Sequence, residues 1–315
     1  MRTLTHTNPS GSLAAMFKRL ALVLDTIKFA HSIFALPFAL VATIVAAGGW
    51  PEWRVFGLIL LCMVSGRSAA MAFNRWTDRV FDAENPRAKS RPSVTGAISP
   101  TFLLCFVGIA AALFVLGAYL LNWTCFVLAL PVLAILLSYS YAKRFTALCH
   151  VWLGLSLGLA PLGAHLAIQG NLAPLPNLGQ AWGLAFEAFP LLLGLAVLGW
   201  VAGFDLIYAC QDFEIDSRDP RLHSIPKALG IANALRLSTV LHVLSVALLI
   251  FAGIYAGLGV WYYAACDAVA ALLTYEHWIV RPDDLSRVNV AFFTLNGMVS
   301  LVVFAAVFVE RVVLR

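Results

Sequence analysis

Residues 188–216 read AFPLLLGLAVLGWVAGFDLIYACQDFEID, and this stretch decides the fold class. From Ala188 to Cys210 the only charged residue is Asp205, and the acids Asp212, Glu214 and Asp216 follow at once. About 20 apolar residues cross the hydrocarbon core of a bilayer as a helix, so the run has the length of a membrane span that ends in an acidic patch. Similar runs lie at Phe29 to Ala47, Val55 to Phe73, Thr101 to Leu121, Trp123 to Tyr141, Leu148 to Ile168, Leu237 to Ala256, Leu258 to Trp278 and Val290 to Val309. Backbone polar groups must be satisfied internally in lipid, and these runs lack the alternation of barrel strands. The expectation is an all-α integral membrane protein, a bundle of nine transmembrane helices.

The composition agrees. Of 315 residues, 61% are hydrophobic and 12% charged, against roughly half and about a quarter in ordinary soluble domains. A soluble globular enzyme is excluded. The net charge of +5 is read as membrane topology rather than nucleic-acid binding, because basic residues collect in cytoplasmic loops. Arg2, Lys18, Arg19 and Lys28 precede the first run. Arg75, Arg79, Arg87, Lys89 and Arg91 follow the second, Lys143 and Arg144 the fourth, Arg218, Arg221, Lys227 and Arg236 the sixth, and Arg281 and Arg287 the eighth. The other face has Arg54, Arg311 and Arg315. This bias places the amino terminus in the cytoplasm of a multi-pass protein of a bacterial-type inner membrane. Residues 1–15, polar and without a signal-peptide pattern, are expected to be a disordered leader before a transmembrane domain at 16–315, with Met16 a second candidate start. The six cysteines are scattered through apolar segments without CxxC spacing, which predicts buried thiols and neither disulfides nor a zinc site.

The loops after the second and sixth runs superimpose with a constant offset of 134 residues. Asp78, Asp82, Pro86, Arg87, Ser90, Pro92 and Gly96 meet Asp212, Asp216, Pro220, Arg221, Ser224, Pro226 and Gly230. Such a match implies an internal duplication, two similar helix-loop units that bring equivalent acidic motifs to one membrane face. In the first, Asn74, Asp78 and Asp82 stand at i, i+4 and i+8 along one helical face. In the second, Asp212 and Asp216 stand at i and i+4. Four converging carboxylates repel one another unless a cation compensates. Mg²⁺ typically takes one or two carboxylates together with substrate phosphates, so a metal-bridged diphosphate site is expected, with Arg87, Lys89, Arg91, Arg221 and Lys227 as candidate phosphate clamps. The competing interpretation is a pair of solvated loops whose acids pair with neighbouring arginines; the repetition of the spacing argues against it.

NRWTDRVFD followed by NPR and SRP, paired with YACQDFEID, resembles the UbiA superfamily of intramembrane aromatic prenyltransferases. The resemblance spans nearly the whole chain and departs from the commonest first motif at Arg75, where an aspartate is frequent. It implies a prenyl diphosphate held through Mg²⁺ by Asp78, Asp82, Asp212 and Asp216 with Asn74 assisting, loss of diphosphate, and attack of the allylic cation on an electron-rich phenol. FAHSIFALPFAL, AMAFNR and LHSIPKALG look most like the quinone-biosynthetic branch, whose acceptors are 4-hydroxybenzoate or dihydroxynaphthoates, including that of the futalosine menaquinone route. SYSYAKRFT, with Tyr139, Tyr141, Lys143 and Arg144, resembles the segment in which a basic residue lies near the acceptor; an aromatic and basic membrane anchor has the same appearance.

Ionisable groups inside membrane helices are functional candidates by default. Arg67, seven residues before Asn74, suits an acceptor-carboxylate or diphosphate contact, and equally a structural pair with Asp205. Lys28 and His31 are placed to reach the acceptor or to snorkel to the interface. Tyr208, one turn before Asp212, is expected to face the site, and His165, His242 and His277 to pack. Polyprenyl diphosphate, an aromatic acid and membrane lipid are the expected partners, without nucleic acid. A secondary transporter with a duplicated acidic cation site is the rival from another class, and a membrane phosphotransferase a second, although its D-G-x-x-A-R signature is missing.

Overall fold

The computed structural model describes residues 34–170 and 187–314. The leader, Met16, Lys28 and His31 lie outside the described residues. Among those described, the chain is helical without a named strand; the only β-pairing is the bridge between Arg281 and Asp284. The long helices are α1 (Leu36–Ala47), α2 (Trp53–Glu84), α3 (Pro100–Leu121), α4 (Trp123–Phe145), α5 (Cys149–Gln169), α6 (Ala188–Ala209), α7 (Ile231–Ala256), α8 (Val260–Ile279) and α9 (Asn296–Phe308).

Seven spans among the described residues are long and apolar enough to cross a membrane, so the protein is an integral, multi-pass membrane protein, but the expected count of nine is reached by only seven. Helix α1 is 12 residues long as described. Helix α8 has a span's length, but Asp267, Glu276, His277 and the Tyr262–Tyr263 pair lower its hydropathy. Helix boundaries follow local chemistry. Ser99 accepts from the Phe102 N–H with Pro100 in the first turn, and Asn122 accepts from the Cys125 N–H, each satisfying an amide that the helix leaves open.

Helix α6 is the buried centre. Of its apolar window 67% is buried, against 33% for α2 and for α7, as befits a helix packed on α5 on one flank and α7 on the other. Its approach to α5 is close because α5 carries Gly154 and Gly158, where a Cβ would meet the backbone carbonyls of Leu198 and Gly194; small residues four apart allow this in membranes. Helix α1 contacts α5 and α9, and α8 joins α7 to α9, so α1 and α5 to α9 close into a ring, with α2 and α4 packed beside α5 and α3 packed on α2 and α4. Phe34, Phe38, Trp200 and Phe204 fill the ring's interior. All six cysteines are free thiols, and three are buried. The expectation of uniformly buried thiols fails at Cys105, which is exposed on α3, because an apolar side chain can face lipid as well as core.

At one end of the bundle Arg54 donates to Leu120 O, Asn122 to Leu166 O and Gln169 to Ala46 O. The duplicated loops gather at the ends of α2, α4 and α6 remote from these contacts. In both, a helix gives way to a short helical turn, Pro92–Thr95 or Ile225–Leu229, closed by a glycine of positive φ: 79° at Gly96 and 80° at Gly230. Only glycine adopts that backbone without strain. The duplication is therefore one of general backbone course as well as sequence, although ψ is 4° at Gly96 and 160° at Gly230. The first motif lies on the unbroken 32-residue α2, whereas the second is interrupted by a 3₁₀ turn, Cys210–Asp212, before the short helix Phe213–Arg218. The expected regular i, i+4 helical spacing of Asp212 and Asp216 is altered by that tighter turn.

Candidate active site

The last turns of α2 present Asn74, Asp78 and Asp82, and the α6 extension presents Asp212 and Asp216. Each aspartate has a different basic partner: Asp78 with Arg144 at 3.1 Å, Asp82 with Arg91 at 2.6 Å, Asp212 with Arg87 at 2.7 Å, and Asp216 with Lys143 at 2.8 Å. Asn74 donates its amide to the second oxygen of Asp78 at 2.7 Å. Arg144 also donates to Thr77 O at 2.8 Å, which ties the end of α4 to α2. Convergence of four bare carboxylates is not what the structure shows: among the described residues no group of three acid, histidine or cysteine side chains is poised around a metal position. The basic side chains supply the compensating charge that the acids require.

The pairing crosses between the duplicated loops. Arg87 of the first reaches Asp212 of the second, and its equivalent Arg221 reaches back to Glu84 at 2.8 Å. Both arginines leave matching turns, in which the side-chain oxygen of Asn85 or Asp219 accepts the N–H of Arg87 or Arg221 at 2.9 Å. Asn-Pro-Arg and Asp-Pro-Arg are the sequence signal of this equivalence; the identity count missed it because asparagine and aspartate differ in name while sharing the turn.

Between the loops lies a cleft of about 570 Å³ lined by Asp78, Asp82, Asp216, Lys143, Arg144 and Arg221. A second cavity, about 210 Å³, runs into the bundle between α2, α3, α4 and α5 and is largely apolar. Arg67 and Tyr139 line it. Tyr139 precedes Lys143 by one turn, about 6 Å along the axis, so α4 contributes to both spaces. Arg67 Nε is buried without a hydrogen-bond partner among the described residues. The alternative pairing with Asp205 is not the one found: Asp205 engages His150 Nδ1 at 2.7 Å, a residue the sequence did not single out. Arg75 is buried within electrostatic reach of Asp78, Asp82 and Arg91.

The remaining candidates divide. Arg87 lies over the Tyr208 ring, 5.5 Å from its centroid, and donates to the Tyr208 hydroxyl at 3.4 Å; Tyr208 thus stands against the partner of Asp212. Lys227 caps the backbone carbonyls of Asp219 and Leu222 at 2.7 and 2.8 Å and makes no ion pair with Asp78, Asp82, Asp212 or Asp216 among the described residues. Lys89 is exposed, and its side chain makes no hydrogen bond or ion pair among the described residues. His165 pairs with Glu187 at 2.9 Å, and His242 with His277 at 3.0 Å.

The Arg221 guanidinium beside Asp219 holds that carboxyl at about 2, below its ordinary 3.8. Ionised Asp219 is thereby favoured in the folded chain, so its contribution to stability is complete above pH 3.8 and lost as pH falls through about 2. Asp219→Asn is expected to be less stable than the parent at pH 6, with the gap closing between those two values. Unfolding scans in detergent over that range check this; a gap that stays constant down to pH 2 refutes it.

The donor set fits Mg²⁺ on an observation of its own. Oδ2 of Asp82 and Oδ2 of Asp216 are buried without a hydrogen-bond partner among the described residues, both residues line the cleft, and the two are equivalent in the duplication. Orphaned carboxylate oxygens are costly, and hard divalent cations take such ligands.

A model of the UbiA prenyltransferase family matches residues 35–298. The chain belongs to that family. It is accordingly a prenyltransferase, and the transporter and phosphotransferase expectations are set aside. A relative from Nitrosomonas eutropha named 4-hydroxybenzoate octaprenyltransferase is 29% identical over 271 residues, 85% of this chain and 88% of its own. One of the same name from Xanthomonas campestris pv. campestris is 34% identical, covering 84% of this chain and 82% of its own. Among solved structures, the apo UbiA homolog from Aeropyrum pernix K1 is similar with a TM-score of 0.79 and 34% identity over 89% of this chain and 98% of that one. A UbiA homolog from Archaeoglobus fulgidus bound to DMAPP and Mg²⁺ shares the fold, with a TM-score of 0.69 and 20% identity over 91% and 98% of the two chains.

Proposed function

We propose that this UbiA-type enzyme transfers a polyprenyl group from its diphosphate to an aromatic acid of quinone biosynthesis, 4-hydroxybenzoate or a dihydroxynaphthoate, with Mg²⁺. The supporting observation is the juxtaposition of duplicated, base-paired aspartates with an apolar cavity whose wall carries Arg67, its Nε without a hydrogen-bond partner among the described residues. The names of the relatives favour 4-hydroxybenzoate as acceptor. The proposal includes nine membrane spans within 16–315, a leader at 1–15, and an amino terminus and acidic cleft on the cytoplasmic side of the inner membrane, as the basic-residue bias suggests.

Asp78, Asp82, Asp212 and Asp216, with Asn74 beside Asp78, would hold Mg²⁺, which when bound neutralises diphosphate charge and assists its departure. The diphosphate is an anion entering a cleft lined by Lys143 and Arg144, and these two, with Arg87 and Arg91 outside its lining, already engage the aspartates. These four bases are free to turn to phosphate oxygens once the acids have another cation, and so stabilise charge that grows on the leaving group. Arg221 and the more distant Lys89 and Lys227 add positive field at the rim. Loss of diphosphate leaves an allylic cation, which the apolar cavity shelters from water. The phenol ring attacks its terminal carbon, forming a C–C bond, and the ring proton then leaves to restore aromaticity. Arg67 holds the acceptor carboxylate by a charge-assisted contact that fixes which ring carbon faces the donor. Lys28, outside the described residues, remains a candidate for the same anion.

The deciding assay supplies membranes with a polyprenyl diphosphate, Mg²⁺, and either 4-hydroxybenzoate or 1,4-dihydroxy-6-naphthoate, with products read by mass. A carbon-prenylated product from one acceptor is the expected result; none from either overturns the acceptor class. Arg67→Ala is expected to raise the acceptor KM by about tenfold to a hundredfold, the worth of roughly 1.5–3 kcal/mol for a charged hydrogen bond, with the donor KM little changed. Equal effects on both substrates would remove Arg67 from the acceptor site.

A further inference from the structure

A buried polar network in the second half of the bundle takes no part in the acidic cleft. Glu276 of α8 and Asn296 at the start of α9 are fully buried, each 0% exposed. Asn296 Nδ2 donates to Glu276 Oε1 at 3.0 Å and to Ala291 O at 2.9 Å, and its Oδ1 accepts from Trp200 Nε1 of α6 at 2.5 Å. His242 of α7 lies 3.2 Å from Trp200 O and 3.0 Å from His277 Nε2. A carbonyl only accepts, so His242 donates from Nε2 and receives from His277 at Nδ1. The network joins α6, α7, α8 and α9, and Glu276 Oε2 is buried without a partner among the described residues. That unpartnered oxygen costs free energy that apolar packing would not, so the network calls for a role beyond holding helices together.

That role lies in what Asn296 grips. Ala291 belongs to a π-helical turn, Val290–Leu295, where the widened ladder displaces carbonyls from their usual donors; such turns recur at functional sites. The turn carries Phe292, whose ring centroid is 4.4 Å from that of Tyr208, 5.1 Å from Phe204 and 5.7 Å from Phe34. Tyr208 in turn supports Arg87, the partner of Asp212. We propose that Glu276 and Asn296 are positioning residues for the donor: through the π-helical turn they fix the Phe292 ring, which seats Tyr208 and Arg87 beside Asp212. This inference rests on the paired aspartate motifs, Asp212 among them, being the donor diphosphate site.

The test reads binding and backbone exchange instead of turnover. Geranyl diphosphate with Mg²⁺, and separately 4-hydroxybenzoate, are titrated into the full chain in detergent, and hydrogen exchange at residues 288–296 is followed without ligand. Asn296→Leu is expected to weaken geranyl diphosphate binding by about tenfold or more, to speed exchange across the turn, and to leave 4-hydroxybenzoate affinity as it was. Phe292→Leu should give a comparable loss, and the double variant no more than either alone, since residues on one route do not act additively. Glu276→Leu should match Asn296→Leu, while Glu276→Gln, which keeps an oxygen for Asn296 Nδ2, should recover most of the affinity. Unchanged donor binding in Asn296→Leu and Glu276→Leu, or losses that add in the double variant, overturns the proposal. If Asn296→Leu does not fold, the two Glu276 variants and Phe292→Leu decide by the same criteria. A parent protein that does not bind geranyl diphosphate sinks the donor-site reading and this inference together; a parent that binds while all variants match it sinks this inference alone.

Discussion

Asp78→Ala and Asp212→Ala each lose prenyl transfer by about a hundredfold to a thousandfold, on the scale of removing one preorganised electrostatic contact from a transition state, and both stay folded in detergent. The loss is large because, in the proposed site, each position is one of two equivalent places at which the duplicated units meet the diphosphate's counter-charge. Folding survives because the partners left behind, Arg144 and Arg87, keep side-chain exposures of 24% and 38%, so water solvates the orphaned guanidinium at little cost. The equivalence adds a sharper expectation: the two variants should resemble each other in weakened Mg²⁺-dependent donor binding, with acceptor binding kept. Turnover and donor affinity near the parent's in both variants would dismiss the aspartates as metal ligands.

Much of this arrangement was legible in the sequence, because membrane helices announce themselves by length and charge exclusion, and because a duplicated acidic motif is visible wherever spacing is kept. Asp78 pairs with Arg144, and Asp212 with Arg87, across 66 and 125 residues; spacing predicted that such groups share a membrane face but not which base meets which acid. The partnership depends on helix rotation and on the 3₁₀ turn before Phe213, which no periodicity reveals. His150, Glu276 and Asn296 were passed over for a related reason. A polar residue inside an apolar helix has its meaning set by a neighbour on another helix, and α8's acids read as dilution of a span rather than as a network. Helix α8 also shows why counting spans by hydropathy falls short: the residues that build the network are those that lower its score.

Lys143→Met exposes the other half of the charge arrangement. Asp216 is 2% exposed; one of its oxygens rests on Lys143 Nζ at 2.8 Å, and the other has no partner among the described residues. Removing the lysine strands a buried carboxylate, which costs about 3 kcal/mol even at the lower end of the range for a broken buried pair; the lower end applies because Lys143 is itself 39% exposed. The metal-free variant should therefore unfold at markedly lower temperature than the parent. Adding Asp216→Asn to it should restore most of the loss, since the stranded charge is then gone. Mg²⁺ alone should stabilise Lys143→Met more than the parent, because in the variant the cation meets an acid with no competing lysine, whereas geranyl diphosphate added with it lacks the Lys143 contact there. Thermal unfolding of the three proteins with and without those ligands tests each step. If Lys143→Met is as stable as the parent without metal, the bases are not standing in for the cation, and the pairings of the cleft are surface contacts of little energetic weight.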